Sequence, residues 1–177
     1  MKIVLITAYF APAWSYGGPP RVFSALAQSF RKKGHDITVI TTDAKDEERN
    51  KILSEKMDGI QVNRYPTISN YLAYKLKLFF VPGFLDKIQH ILKESDIVIF
   101  SDLRTVINLQ IYPFLKKNRI PYCLFAFGQI PYDRNKKLIK KIFDYIWVRD
   151  FVKNAIYKFA QTEHEKSMYN EYFPADR

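Results

Sequence analysis

The sequence has 177 residues, 47% of them hydrophobic and 26% charged, a balance that excludes a disordered chain and predicts one globular domain. Its single cysteine, Cys123, excludes a disulfide framework, and no apolar run approaches the ~20 residues of a membrane span, so we expect a cytoplasmic protein. The formal net charge of +10 favours an anionic partner: nucleic acid, anionic lipid or a phosphorylated substrate.

Short apolar runs alternate with helical patterns in the first half of the chain. The run at 3–8 is continuous, as expected of a buried parallel strand, and a loop with three prolines follows it at 9–20. Gly34 is a suitable stop for the first helix. Residues 43–58 are charged and predict an exposed excursion. The predicted elements are strands at 3–8, 36–42 and 60–65 and a helix at 21–33.

The same alternation continues in the second half. Two helical pieces are separated at Pro82-Gly83, and a long basic helix precedes the last strand. The predicted elements are strands at 97–100, 122–127 and 156–161 and helices at 71–80, 84–93, 105–117, 134–151 and 163–172. About six strands in βα alternation predict an α/β fold: a doubly wound, mainly parallel Rossmann-like sheet with helices on both faces.

A glycine pair, Gly17-Gly18, lies between the first strand and the first helix. Glycine lets backbone N–H groups approach a phosphate closely, and a helix N-terminus adds partial positive charge. A flexible turn explains the pair equally well. The pair is not the G-x-G-x-x-G fingerprint, which disfavours a nicotinamide enzyme, and the chain contains no P-loop motif.

A family resemblance rests mainly on the first fifty residues. Its segments there are Gly17-Gly18-Pro19-Pro20-Arg21-Val22, Leu26-Ala27 and Gly34-His35-Asp36-Ile37-Thr38-Val39-Ile40-Thr41. Later segments that fit are Asp96-Ile97-Val98-Ile99, residues 121–128 and Gln161-Thr162-Glu163-His164-Glu165-Lys166. Together they resemble the family 4 (group 1) glycosyltransferases, over nearly the whole chain.

The resemblance implies a GT-B enzyme with two Rossmann-like domains, of which residues 1–177 are the N-terminal, acceptor-side half. The donor-binding half would lie outside this chain. The implied reaction transfers a sugar from a nucleotide sugar to a glycan or lipid-linked acceptor, with retention at the anomeric carbon and no obligatory metal. Polysaccharide or glycoconjugate synthesis is the expected setting.

The resemblance also assigns candidate site residues. Gly17 and Gly18 would approach the donor diphosphate. The acceptor-side candidates are Tyr16, Arg21, Asp102, Arg104, Phe127, Gly128, Gln129 and Glu163. Two positions that are often His in the family fall in Phe100-Ser101-Asp102 and at Phe127, so no catalytic residue is assigned to this half.

Neither the histidines nor the cysteine predict further chemistry. His35 precedes a strand, remote from the ligand end of the sheet. His90 and His164 have no Cys, Asp or His partner at metal-ligand spacing, so we expect no metal site. Cys123 is expected to be a small core residue.

The chain from Arg134 to Lys158 is strongly basic, with eight Lys or Arg and two Asp. One predicted helical face, which we expect to pack on the sheet, holds Leu138, Ile139, Ile142, Phe143 and Ile146. The basic back is then either a solvated surface or a contact with an anionic membrane. Residues 74–80 form a second basic and aromatic stretch. The sequence shows no DNA- or RNA-binding motif, and we expect no nucleic acid partner.

Three functions remain open at this level. The first is a glycosyltransferase half, cytoplasmic or peripheral on the inner face of the membrane, that transfers no sugar by itself. The second is another two-Rossmann sugar-nucleotide enzyme such as an epimerase, because fold does not fix function. The third is a non-catalytic basic module that binds membrane surfaces.

Overall fold

A single sheet organises the protein in the computed structural model, which describes residues 1–130 and 141–174. Among these residues, seven strands lie in the order β3-β4-β2-β1-β5-β6-β7. The β3–β4 pair is antiparallel, and the other neighbouring pairs are parallel. The strands are β1 (Lys2–Ile6), β2 (Asp36–Thr42), β3 (Ser54–Met57), β4 (Ile60–Tyr65), β5 (Ile97–Ser101), β6 (Tyr122–Phe125) and β7 (Tyr157–Phe159).

Helices cover both faces of the sheet. The helices of the described residues are α1 (Gly18–Lys32), α2 (Asn70–Leu76), α3 (Phe84–Lys93), α4 (Val106–Asn118), α5 (Arg149–Lys153) and α6 (Glu163–Tyr172). Phe23 and Ala27 of α1 pack on one face with Leu5 of β1, whereas α2 to α6 pack on the other face. Without the β3 hairpin, the strand order is the doubly wound Rossmann order, which confirms the predicted fold class.

Most element boundaries agree with the sequence prediction to within two residues, and three elements differ by more. β3 lies inside the expected excursion, where its side chains are exposed or half-buried and give no apolar run. The helix predicted at 71–80 ends at Leu76, because Lys77 adopts a left-handed conformation with φ 58°. The first helix begins at Gly18 rather than Arg21, since Pro19 and Pro20 fit the first turn of a helix.

The predicted long basic helix differs most. Its part from Arg134 to Lys140 lies outside the described residues. The chain is helical from 141 and passes through a π-helical turn (Asp144–Val148) into α5. Phe143 packs against the core as expected. The turn buries Asp144, whereas Ile142 and Ile146 are exposed, so the predicted apolar face was wrong at those two residues. A π-helical turn contains more than 3.6 residues and rotates the side chains that follow it.

Candidate functional site

The loops that follow β1, β5 and β6 meet at the carboxyl edge of the sheet. The strand order reverses between β1 and β5, the place where open parallel sheets bind their ligands. The Thr7 hydroxyl, just after β1, lies 2.9 Å from the Ser101 hydroxyl at the end of β5. The two strand ends are therefore joined by a buried polar contact.

Asp102 lies at the centre of this edge and is 1% exposed. Its carboxylate accepts hydrogen bonds from the Tyr9 hydroxyl (3.1 Å), the Ser101 hydroxyl (2.7 Å) and Nε2 of Gln129 (2.6 Å). Oε1 of Gln129 in turn accepts from the backbone N–H groups of Leu103 (2.8 Å) and Arg104 (3.2 Å). One carboxylate thus joins the three loops, and we call Tyr9, Ser101, Asp102 and Gln129 the Asp102 cluster.

Burial gives this cluster unusual acid–base properties. It raises the pKa of Asp102 to about 6, against the opposing effect of the hydrogen bonds from Ser101, Tyr9 and Gln129. Burial also raises the pKa of Tyr9, and the Asp102 charge adds to the effect. Asp102 and Tyr9 are both buried, so the half-buried Gln129 is the hydrogen-bond partner through which the cluster reaches the surface.

Arg104 follows Asp102 and reaches a different partner. Its Nε lies 2.7 Å from Oδ1 of Asp144, and its Nη2 lies 2.5 Å from Oδ2, a bidentate ion pair with both side chains largely buried. Nη2 also donates to the Ile130 carbonyl at 3.3 Å. The guanidinium therefore links the β5 loop to the π-helical turn and to the loop after β6.

The glycine loop lies next to these loops and is open. Gly17 has φ 89°, and its N–H donates to the Trp14 carbonyl at 3.1 Å. A Cβ added at Gly17 or Gly18 would meet nothing within 4 Å. Pro19 and Pro20, the second and third residues of α1, carry no backbone N–H, so Gly18 must supply the donor of that first turn.

Tyr16 and Arg21 flank the glycine pair. The Tyr16 ring stacks on Tyr9, with ring centroids 4.5 Å apart and an interplanar angle of 10°. Nζ of Lys77 lies 4.3 Å from the Tyr16 ring centroid, a cation–π contact. Burial raises the pKa of Tyr16 to about 12. The Arg21 guanidinium is 5.2 Å from the Trp14 ring centroid, so a cation lies one helical turn from the glycines.

The loop after β6 is held by Glu165. The Gly128 N–H donates to Oε1 of Glu165 at 2.7 Å, and the Gln161 N–H donates to Oε2 at 2.7 Å. Glu163, the residue assigned from the resemblance, is instead exposed and forms an ion pair with Lys166 at 3.4 Å. Glu165 is 5% exposed, so it is the carboxylate of this helix that contacts the site.

Comparisons with known proteins agree with this architecture. No protein-family model matches the chain, and no curated protein matches it. Among solved structures, a sucrose-phosphate synthase from Thermosynechococcus elongatus superposes with a TM-score of 0.64 at 12% sequence identity. The match covers 97% of this chain and 45% of that synthase, so the chain spans less than half of its length.

The fold is that of one Rossmann-like GT-B domain. Within it, Tyr16, Asp102 and Gln129 belong to one contact chain through Tyr9. Gly17, Gly18 and Arg21 form the adjoining open loop.

The side chains of Phe127 and Arg104 are directed away from that contact chain. The Phe127 ring packs against Phe23 of α1, with centroids 5.7 Å apart, and is directed into the core. The Arg104 guanidinium forms an ion pair with Asp144. Within residues 1–130 and 141–174, no three His, Cys, Asp or Glu side chains come together as a metal site.

Sequence reasoning missed Tyr9, Thr7, Ser101, Asp144 and Glu165. Only Glu165 had a local signal: Thr162 and Glu165 have the spacing of a capping box, and the Glu165 N–H does donate to the Thr162 hydroxyl at 3.1 Å. The other four acquire their partners through the strand order and through the π-helical turn.

Proposed function

We propose that this chain is the acceptor-side domain of a two-domain glycosyltransferase that moves a sugar from a nucleotide sugar to a glycan or lipid-linked acceptor. The observation that carries the proposal is the structural likeness to a sucrose-phosphate synthase over 97% of the chain. The glycine loop beside the β1–β5 switch point supports it, because that position suits an anionic ligand. The donor-binding half is then supplied from outside these residues.

The donor diphosphate is proposed to lie against the glycine loop. Gly18 presents a backbone N–H with no side chain in the way, and a Cβ there would find open space that a phosphate can occupy. As the bond from the anomeric carbon to the diphosphate breaks, negative charge grows on the leaving group. Arg21 supplies a nearby cation, which matters because Pro19 and Pro20 provide no N–H groups.

The acceptor is proposed to meet the surface formed by Tyr16 and Gln129. Tyr16 is half-buried and stacks on the buried Tyr9, so it can contact a sugar ring from a fixed position, and Gln129 adds a polar group held in place by Asp102. Gly128 follows Phe127 at the same edge and keeps its loop close to Glu165. Asp102 serves here as a positioning residue.

The finer features of the proposal come from the family 4 resemblance. They are retention at the anomeric carbon, the absence of an obligatory metal, a role in polysaccharide or glycoconjugate synthesis, and a cytoplasmic location on or near the inner membrane face. The chemical step requires groups of both halves, so we expect residues 1–177 alone to transfer no sugar.

The test compares residues 1–177 with the protein expressed from its full native reading frame. Both are incubated with a panel of nucleotide sugars and glycan or lipid-linked acceptors, and release of the nucleoside diphosphate is measured with and without acceptor. We expect acceptor-dependent release from the full protein only. Turnover by residues 1–177 alone would contradict the two-half proposal, and absence of release from a two-domain protein across the panel would contradict sugar transfer.

The same assay separates the epimerase alternative. An epimerase changes the configuration of the nucleotide sugar without an acceptor, which chromatography of the nucleotide sugar detects. It also needs acid and base groups facing the ligand, whereas the buried carboxyl of Asp102 is covered by Tyr9, Ser101 and Gln129. We therefore expect the nucleotide sugar to be consumed and not interconverted.

A further inference from the structure

Four large side chains in and beside the π-helical turn point into solvent. Ile142 is 53% exposed, Tyr145 74%, Ile146 58% and Trp147 50%, and we call these four the 142–147 face. Single exposed apolar residues are common on proteins, but a cluster on two successive turns of one helix marks a contact surface.

The fold fixes the direction of this face. On the inner side of the same turn, Asp144 is 2% exposed and Val148 is fully buried. Asp144 is held by the bidentate ion pair with Arg104, and Val148 packs in the same core as Phe151 and Val152 of α5. Rotating the helix to bury Ile142 and Ile146 would expose that core, so the apolar side chains are outward in the stable fold.

Cations surround the 142–147 face. Lys141, Arg149 and Lys153 are exposed on the same helical segment. A cleft of about 300 Å³ between this segment and α6 is lined by Lys141, Tyr145 and Arg149 together with Glu171 and others. Of the two acids on the segment, Asp144 is paired with Arg104 and Asp150 with Lys116.

We propose that the 142–147 face is a membrane-insertion surface that docks on a bilayer containing anionic lipid. Aromatic and aliphatic side chains surrounded by Lys and Arg match the boundary between acyl chains and anionic headgroups. No helix among the described residues is long and apolar enough to cross a bilayer, so the contact is peripheral. Charge complementarity favours this occupant over a second copy of the chain, which carries the same net charge of +10.

The position of the face connects it with the site. Arg104 lies two residues after Asp102 and forms an ion pair with Asp144 inside the π-helical turn, so the segment that carries the 142–147 face is joined to the loop at the carboxyl end of β5. A bilayer bound there lies beside the loops that would hold an acceptor. The inference goes beyond the proposed function and does not require it, because lipid binding involves no sugar chemistry.

The two tryptophans of the chain give a direct test. Trp147 belongs to the face, whereas Trp14 lies beside the glycine loop and is similarly exposed at 40%. Trp14→Phe leaves Trp147 as the reporter, and Trp147→Phe leaves Trp14. Each protein is mixed with vesicles of phosphatidylcholine and phosphatidylglycerol that carry brominated acyl chains, which quench an inserted indole. We expect the fluorescence emission of Trp147 to shift to the blue and to be quenched on vesicle binding, and the emission of Trp14 to show neither change.

Matched variants separate insertion from simple charge attraction. Ile146→Ser should weaken vesicle binding about tenfold by removing apolar surface that the bilayer would bury. Ile52→Ser, at 54% exposure just before β3 at the opposite end of the strand order from β6 and β7, should not change it. Arg149→Gln should weaken binding about fivefold, and high salt should weaken it further. Phosphatidylcholine alone should bind poorly.

Four results would overturn the proposal. They are no binding to anionic vesicles, quenching of Trp14 in place of Trp147, binding that is insensitive to Ile146→Ser, and self-association through the face that Ile146→Ser abolishes while vesicles do not compete. Circular dichroism of each variant shows whether the fold is retained; all substituted side chains are exposed, so we expect no change.

Discussion

The Asp102 cluster and the glycine loop lie at the same edge of the sheet, and they are built in opposite ways. The cluster is buried, and its side chains bond to one another: Asp102 alone accepts hydrogen bonds from three other residues. The glycine loop is exposed, has no side chain at two successive positions, and leaves open space around them.

The difference separates two kinds of ligand contact. A wall that orients an acceptor gains from groups fixed in place before binding, because fewer rotamers are lost when the ligand arrives. A loop that accepts a diphosphate gains from bare backbone, because a side chain would keep the phosphate away. On this view, substitutions in the cluster should cost stability, whereas substitutions in the loop should mainly cost binding.

Removing the Asp102 carboxylate should have the largest effect. Asp102→Ala leaves buried donors of Tyr9, Ser101 and Gln129 without an acceptor and places alanine at φ 66°. We expect the free energy of unfolding to fall by about 4 kcal/mol, measured by urea denaturation. Asp102→Asn is the matched control, because asparagine tolerates this conformation and keeps one acceptor oxygen. Its loss of unfolding free energy should be about half that of Asp102→Ala. Equal losses for the two variants would show that hydrogen bonds do not set the stability of the cluster.

The Asp102 cluster also predicts a dependence on pH. The folded protein holds the Asp102 proton more tightly than the unfolded chain, since burial raises the pKa from 3.8 to about 6. The contribution of this group to stability is therefore greatest below about pH 4 and falls as pH rises through 6, by about 3 kcal/mol in total. The measurement is the difference in unfolding free energy between the wild type and Asp102→Asn across that window. A difference that grows as pH rises would contradict the assignment.

Glu165 and Glu163 extend the comparison to the loop after β6. Glu165→Gln places an amide N–H against the Gly128 or Gln161 N–H, and we expect the unfolding free energy to fall by about 2 kcal/mol. Glu163→Gln removes the charge from an exposed ion pair, and its unfolding free energy should stay within about 0.5 kcal/mol of the wild-type value. The same denaturation assay applies to both, and a reversed order would show that Glu163 is the residue that holds the site.

Much of the fold could be predicted from the sequence because the central strands β1, β5 and β6 are short apolar runs. β3 could not be predicted because the residues from Ser54 to Met57 alternate between exposed and half-buried positions, and their sequence resembles a loop. The helix at 71–80 was extended too far because its Leu and Lys residues suit a helix, whereas Lys77 takes a left-handed conformation that no propensity rule places there.

The site was less predictable because its contacts span the chain. Asp102 was a candidate, yet Tyr9 lies 93 residues away from it and Gln129 lies 27 residues away, and only the order β1-β5-β6 brings the three together. The outward face of residues 142–147 was missed for a different reason. A regular α-helix repeats every 3.6 residues, and the π-helical turn from Asp144 to Val148 breaks that period.

Alanine at Gly17 and alanine at Gly18 should have different effects on stability, and the difference separates backbone strain from ligand contact. Gly17→Ala puts a Cβ on a residue at φ 89° and ψ −132°, a region open essentially to glycine, and should cost about 2 kcal/mol. Gly18 is the first residue of α1, and no atom lies within 4 Å of the methyl group that Gly18→Ala adds. The unfolding free energy should therefore change by no more than about 0.5 kcal/mol. If a donor diphosphate contacts Gly18, the same variant in the two-domain protein should weaken nucleotide-sugar binding about tenfold, because the methyl group displaces the phosphate from the backbone N–H. Titration calorimetry measures this binding. If the affinity is unchanged, the glycine pair serves only as a turn, and the contrast with the Asp102 cluster says nothing about ligand binding.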